Sequence, residues 1–315
     1  MSRHAGLVVT TDAPVCEEPV WRAALRRELP ASQLVPWASA RDAERIDAAI
    51  VWNPEPGRLG ALPGLRAVVT RGAGLDHILS RADLLPDVTV RRLVDTAISR
   101  RMAEFVVLSV LHHHREWADL AAHQRASSWR PEQPSALAEH RTVGVLGLGE
   151  LGRAACAALC PFGFALRGWS RSRVPLPGVR SYAGPGELPA FADRLDMLVC
   201  LLPMTAQTVG IVDAGLLRAV APGALLVNAG RGAHVVEADL LTALASGQLG
   251  SAVLDVCDPE PLPRGHPFWT HPRIRLTQHT AAVPTPRETA DAAVRTLLEI
   301  LDEVSPPVGE GCIHG

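Results

Sequence analysis

Residues 142–163 read TVGVLGLGELGRAACAALCPFG: an apolar run, a glycine-rich turn, then apolar residues at helical spacing. A strand that passes into a helix through so short a turn is the first half of a β-α-β unit, so this stretch commits the chain to an open parallel sheet. Gly147, Gly149 and Gly152 stand in G-x-G-x-x-G spacing. In that context the first glycine permits the tight turn, the second lets the backbone approach a pyrophosphate, and the third lets helix and strand pack closely. The amide donors of the helix start face the phosphates. Gly147, Gly149, Glu150, Leu151 and Gly152 are therefore candidate cofactor contacts.

The rest of the chain repeats the alternation. Runs at 6–10, 48–52, 65–70 and 88–93 read as strands, with a helix at 19–29 between the first two. A helix without internal Gly or Pro is expected over 98–126, followed by a Pro-broken loop. A second strand series follows at 142–149, 165–170, 197–203, 224–230, 251–256 and 274–279, each run apolar on both faces as in a buried parallel sheet. Pro284 and Pro286 mark a break before a last helix at 287–303. The expected fold class is α/β with two doubly wound parallel-sheet domains. A Rossmann cofactor domain, 99–283, is inserted in a flavodoxin-like substrate domain made of 1–98 and 284–315, which the last helix completes.

Composition removes several function classes. With 47% hydrophobic and 20% charged residues and a net charge of −2, the chain is that of a globular protein without a basic field for nucleic acid. No apolar run reaches membrane-span length, and the N-terminus reads as a first strand rather than a secretory signal, so a cytoplasmic location is expected. All 31 basic residues are arginine, which removes Schiff-base chemistry and the phosphate-loop lysine. Cys156 and Cys160 have no second pair to complete a metal site and read as small buried thiols. His112, His113 and His114 point about 100° apart on a helix and do not form one ligand face. No metal is expected.

The segment GWSRSR, 168–173, ends the second strand of the cofactor unit. An acid is usual there, where it binds the ribose hydroxyls and repels a 2′-phosphate. This chain has Ser170, Arg171, Ser172 and Arg173 instead, and guanidinium groups pair with phosphate through parallel hydrogen bonds. The expected cofactor is NADP(H).

Three later strands each deliver one polar residue beyond the carboxyl end, the edge at which open α/β sheets bind ligands: Arg231, Glu260 and His279. Reducing a ketone requires a hydride, a proton and stabilisation of a developing alkoxide. A nicotinamide supplies the hydride. His279 is the candidate acid, Glu260 would orient its ring and favour the imidazolium, and Arg231 would bind a carboxylate next to the carbonyl and polarise its oxygen. A 2-oxo acid carries that pair of groups. Trp52, at a strand end in the first domain, would line the substrate site.

The motifs VGVLGLGELG, LLPMTAQTVGIV, LLVNAGRGAHVVEADLLTAL, AVLDVCDPEPLP and QHTAA together resemble the D-isomer-specific 2-hydroxyacid dehydrogenase family over about 66–304. LRGWSRSRVPLPGVRSY is similar to its glyoxylate/hydroxypyruvate reductase A group. The resemblance implies that Arg231, Glu260 and His279 are catalytic. It extends the cofactor site to Leu202, Pro203, Thr208, Ala229, Gly230, Asp255 and Ala281. It also makes RGAGLD, 71–76, a substrate loop in which the Ala73 and Gly74 amides hold the carboxylate, with Arg231 and His279 also contacting substrate. It implies NADPH-dependent reduction of small 2-oxo acids such as glyoxylate or hydroxypyruvate, and a homodimer built on the long helix and the Trp129 loop. Gln278 and Cys257 depart from the family's usual proline and aromatic residue. A phosphoglycerate-type or broad 2-ketoacid dehydrogenase, and a non-catalytic NADP(H)-sensing partner protein, stay open as alternatives.

Overall fold

Short runs of β-branched and small apolar residues build the first sheet: β1 (Val8–Thr11), β2 (Gln33–Pro36), β3 (Ala48–Val51), β4 (Ala67–Thr70) and β5 (Thr89–Arg92). All pair in parallel, in the order β2-β1-β3-β4-β5. β3 and β4 are buried at every residue, as a strand covered on both faces requires. The computed structural model describes residues 7–13, 17–37, 40–71, 74–93, 96–129 and 136–304. It divides into two units, Met1–Thr96 with Pro284–Gly315, and Ala97–Val283.

In the first unit, α1 (Glu18–Glu28) buries Trp21, Ala24 and Leu25, one face at helical spacing. A short α2 (Asp76–Leu79) follows β4. The C-terminal helix over Pro286–Val304 is fixed by local chemistry at its start. Thr285 and Glu288 form a reciprocal capping box, in which the Glu288 amide donates to Thr285 Oγ1 at 3.3 Å and the Thr285 amide to Glu288 Oε2 at 2.8 Å. Pro286 takes the first helical position, where its missing N–H costs nothing. Ala290, Ala293, Val294, Leu297, Ile300 and Leu301 are buried and form one stripe. That stripe packs on α1 and β4, and Arg27 reaches Asp291 at 2.8 Å.

The second unit carries α3 (Thr96–His114), α4 (Trp117–Arg125), β6 (Thr142–Leu146), α5 (Glu150–Leu159), β7 (Ala165–Ser170), β8 (Val179–Ala183), α6 (Gly184–Ala192), β9 (Met197–Cys200), α7 (Ala214–Ala219), β10 (Ala224–Asn228), α8 (Glu237–Ser246), β11 (Leu249–Leu254) and β12 (Ile274–Leu276), before the C-terminal helix α9. The sheet is parallel in the order β12-β11-β10-β9-β6-β7-β8. Successive strands are added outward from β6 on one side (β7, β8) and from β9 on the other (β10 to β12), which makes the crevice between β6 and β9 the topological switch point. Met102, Val106 and Val110 of α3 and Ala155 and Leu159 of α5 share a core with one sheet face. Phe191, Leu216, Leu217, Leu240 and Leu244 of α6 to α8 share the other. Each of these side chains larger than alanine contributes about 1.5–3 kcal/mol of burial, and the sheet's position sets where its carboxyl edge stands.

Two sequence expectations change. The helix expected over 98–126 is two helices, broken at Arg115–Glu116, where Glu116 adopts φ 52°. The physical reason is burial: α3 is anchored by Val106 and Val110, whereas no residue of α4 is buried, so nothing holds the second segment on the first axis. No Gly or Pro announces the break. Strands β2 and β8 were not expected from the sequence. Both are sheet edges, and β8 (VRSYA) buries only Tyr182 among its residues.

Candidate active site

The glycine turn lies at the carboxyl end of β6, at the switch point. Gly147 has φ +99°, and a Cβ there would stand 2.7 Å from Leu201 O. A Cβ on Gly152 would fall 1.8 Å from Gly147 O, so only glycine lets α5 start this close to the turn. Around Gly149, by contrast, a Cβ would meet nothing within 4 Å. The backbone is thus closed on the protein side at two glycines and open at the one a pyrophosphate would approach. Glu150 and Leu151 begin α5 and place their amides at its N-terminus. The Glu150 side chain accepts a hydrogen bond from Ser99 Oγ at 2.9 Å.

At the end of β7 the four polar residues divide their tasks. Ser170 Oγ donates to Ser172 O at 2.6 Å, closing the turn. Arg173 donates to Ser181 O and to Glu187 Oε1, both at 2.5 Å. Glu187 accepts the Ala183 amide with its other oxygen, and that bond, then Arg173, holds its carboxyl below the usual range. Arg171 is exposed and has no hydrogen-bond or ionic partner among the described residues. The sequence expects both arginines to clamp a phosphate. In this structure Arg173 is engaged by its neighbours, which separates it from the exposed Arg171.

Arg231 follows β10 in a turn built by two residues the sequence analysis did not single out. Asn228, fully buried, donates from Nδ2 to Arg231 O at 2.9 Å and accepts the Gly230 amide at 3.2 Å. His234, also fully buried, accepts the Arg231 amide on Nδ1 at 3.0 Å. The signal for each was in the sequence: a lone polar residue ending the apolar run ALLVN, and a histidine inside GRGAHVV. Arg231 itself is half-buried, and its Nη1 donates to Gly230 O at 2.8 Å. A Cβ on Gly232 would lie 2.0 Å from the Cys257 carbonyl carbon, so this turn is pressed against the start of the loop that bears Glu260.

Glu260 and His279 come together. His279 Nδ1 and Glu260 Oε2 are 2.8 Å apart, each side chain 38% exposed, and Glu260 Oε1 accepts the Cys257 amide at 3.0 Å. The backbone at His279 is unusual: Gln278 and His279 have φ 54° and 61°, consecutive left-handed residues that are not glycine. Asp255, buried at the end of β11, holds them. Its Oδ1 accepts Thr277 Oγ1 at 2.6 Å, the Thr280 amide at 2.9 Å and the Ala281 amide at 3.1 Å, and its backbone carbonyl accepts the His279 amide at 2.5 Å. The sequence expects Asp255 as a cofactor contact. Here its Oδ1 is spent on the turn that carries His279. Cys257 stays a thiol because burial first, then Glu260, Glu237 and Asp255, push it up to about 11.

The remaining expected contacts distribute as follows. Leu202 is buried, Pro203 exposed, and Thr208 Oγ1 donates to Pro203 O at 2.8 Å, shaping the loop after β9. Ala229 and Ala281 are half-buried near the ends of β10 and β12. In the first unit Trp52 and Gly74 are half-buried, Trp52 just beyond β3, and its amide donates to Asp12 Oδ2 at 2.8 Å. Ala73 lies outside the described residues. Cys156 is buried and pushed up to about 11, but Cys160 is exposed at the end of the α5 turn, which corrects its reading as a buried thiol. His113 Nδ1 bonds Ser251 Oγ at 3.1 Å, while the His114 ring meets Phe164 edge-on. Among the described residues no group of three His, Cys, Asp or Glu side chains could hold a metal ion.

The profile of the family described as D-isomer specific 2-hydroxyacid dehydrogenase, NAD binding domain, matches residues 107–281. The chain is 43% identical over 293 residues to glyoxylate/hydroxypyruvate reductase A of Enterobacter sp. (strain 638), covering 90% of this chain and 92% of that protein. Among solved structures it is similar to a D-isomer specific 2-hydroxyacid dehydrogenase from Xanthobacter autotrophicus Py2 in complex with NADPH and MES, with TM-score 0.87 and 37% identity over 95% of this chain and 96% of that one. It is also similar to an NADPH-dependent glyoxylate/hydroxypyruvate reductase from Sinorhizobium meliloti in complex with NADP and sulfate, with TM-score 0.84 and 34% identity over 96% of each chain.

Proposed function

The chain belongs to the D-isomer specific 2-hydroxyacid dehydrogenase family, and from that premise we propose that it reduces glyoxylate, hydroxypyruvate and similar small 2-oxo acids to 2-hydroxy acids with NADPH. The observation that carries this reading is the 2.8 Å pair of His279 and Glu260 at the carboxyl edge of the sheet that bears the glycine turn.

NADPH, when bound, supplies the hydride. The residues present fit it: an open approach at Gly149, the amide-lined start of α5, Ser170 in place of an acid, and an unengaged Arg171. His279 gives the carbonyl oxygen its proton. With Nδ1 donating to Glu260, the ring is oriented and the transferred proton is the one on Nε2. Arg231 carries guanidinium N–H donors suited to a carboxylate, and the Gly230 carbonyl accepts from one of them and fixes the group at the turn. The guanidinium binds the substrate carboxylate and polarises the neighbouring carbonyl. Asp255 keeps His279 in its left-handed turn, so the ring is placed before substrate arrives.

The protein acts as a homodimer in the cytoplasm. Support for the dimer is the exposed apolar set Leu108, Trp117, Leu120, Trp129 and Leu137 on and beside α3 and α4, with Trp129 96% exposed. Among the described residues no helix is long and apolar enough to cross a membrane.

The test is direct. Purified protein with glyoxylate or hydroxypyruvate should oxidise NADPH, followed by loss of nicotinamide absorbance, with kcat/KM for NADPH well above that for NADH. No oxidation with any of a panel of 2-oxo acids would refute the enzyme reading, and a preference for NADH would refute the nucleotide assignment.

A further inference from the structure

His234 is fully buried, and its ring joins two loops that come from different strands. Nδ1 accepts the Arg231 amide at 3.0 Å, which is possible only if Nδ1 carries a lone pair. The ring is then neutral with its proton on Nε2, and Nε2 lies 3.3 Å from Pro203 O as a donor. That carbonyl also accepts Thr208 Oγ1 at 2.8 Å. The space is closed around the ring: a Cβ on Gly230 would stand 2.8 Å from Nδ1, 2.9 Å from Cε1 and 3.0 Å from Leu202 O. The imidazole therefore fills the gap between the Arg231 turn after β10 and the Leu202–Pro203 loop after β9, and satisfies one polar group of each.

We propose that His234 is a positioning residue for reduction. Held neutral with its proton on Nε2, it fixes the Arg231 turn and the Leu202–Thr208 loop to each other, so the carboxylate-binding guanidinium and one wall of the cofactor site are placed by a single buried ring. This rests on the proposed roles of Arg231 and of that loop. A hydroxyl or an aliphatic residue would not serve, because the position requires an acceptor toward Arg231 and a donor toward Pro203 at opposite ends of one rigid side chain.

The two ends separate by substitution. The amide of asparagine overlays Nδ1, and that of glutamine overlays Nε2. His234→Asn keeps an acceptor for the Arg231 amide and loses the Pro203 contact. His234→Gln keeps a donor to Pro203 and leaves the Arg231 amide without its acceptor. The expected result is a split: H234Q raises KM for the 2-oxo acid roughly tenfold with the NADPH Kd within about twofold, and H234N weakens NADPH binding severalfold with the oxo-acid KM little changed. NADPH Kd is read by nucleotide fluorescence without turnover. Equal changes of both constants in both variants, in step with lowered Tm, would reduce His234 to a packing residue and overturn the proposal, as would no change in either constant. Side-chain ¹⁵N shifts of the substrate-free protein give a second reading: a neutral Nε2–H tautomer between pH 6 and 8 supports the brace, and an imidazolium or an Nδ1–H tautomer rules it out. Arg231→Leu separates the two claims. If it leaves the oxo-acid KM unchanged, the assigned role of Arg231 fails, while the tautomer still decides whether His234 is the brace.

Discussion

His279 Nδ1 and Glu260 Oε2 stand 2.8 Å apart, although the two residues arrive from different strand ends. The pair is partly exposed, so its electrostatic contribution to folding is small. In the proposed reaction its effect belongs to catalysis. Glu260→Gln keeps the shape and removes the negative charge that faces His279 Nδ1. The expected outcome is a loss of roughly 10²-fold in kcat for reduction with Tm nearly unchanged. A fall in Tm that accounts for the lost activity would contradict this role.

Asp255 ranks its own variants. Its Oδ1 accepts three hydrogen bonds in a buried setting, and removing them leaves two amides and a hydroxyl unsatisfied, at about 3 kcal/mol or more. Asp255→Ala should lower Tm and release the left-handed turn at Gln278 and His279. Asp255→Asn keeps a carbonyl acceptor and should retain most of the stability. Urea unfolding of both variants checks the order, and an alanine variant as stable as the asparagine one would show that the turn holds itself.

The fold was largely readable because apolar runs on both sheet faces and the glycine turn are properties of local sequence. The α3–α4 break was not, since its cause is the absence of burial beyond Val110, which only tertiary packing reveals. At the site, Arg231, Glu260 and His279 stood out as candidates because each is a polar residue that follows an apolar run read as a strand. Asn228 and His234 were passed over. Their bonds go to backbone groups in a turn, and no pattern of residue types announces a partner that is a carbonyl or an amide. Arg173 shows the converse: SRSR reads as two equivalent arginines, and Glu187, fourteen residues on, separates them.

That separation makes a nucleotide prediction. Arg171 has no partner to lose among the described residues, so Arg171→Ala should leave Tm unchanged. KM for NADPH should rise roughly 10- to 100-fold, as expected for a charge-assisted hydrogen bond, with KM for NADH nearly constant. Steady-state kinetics with both nucleotides decides the matter. Parallel changes for NADPH and NADH would place Arg171 away from the 2′-phosphate.

Gly232 sets the separation between the Arg231 turn and the Glu260 loop. The added methyl of Gly232→Ala would sit 2.0 Å from the Cys257 carbonyl carbon and 2.1 Å from its oxygen, and neither is the end of a flexible side chain. One of the two loops must move. A destabilisation of about 1–3 kcal/mol is expected, together with a lower kcat. Chemical denaturation and turnover measured on the same preparation check both parts, and wild-type values for both would mean that the loops yield at no cost.

His113 carries the pH prediction. Desolvation first, then Arg141, pull it down to about 4 from 6.5, against the opposing effects of Asp196 and Asp119 and with a last small push from His114, while Ser251 Oγ bonds its Nδ1. Because the folded value is depressed, the unfolded chain binds this proton first as the medium is acidified. The stabilisation is fully present above about pH 6.5 and is lost progressively as pH falls toward about 4, by an amount on the order of 3 kcal/mol. Carboxylates titrate in part of the same window, so the informative quantity is the difference between wild type and His113→Gln. Unfolding free energies from urea titrations between pH 4.5 and 7.5 should fall more steeply with acid for wild type than for the variant. Parallel curves would mean that His113 takes up its proton as readily in the folded protein as in the unfolded chain, and that its bond to Ser251 leaves the ring accessible to water.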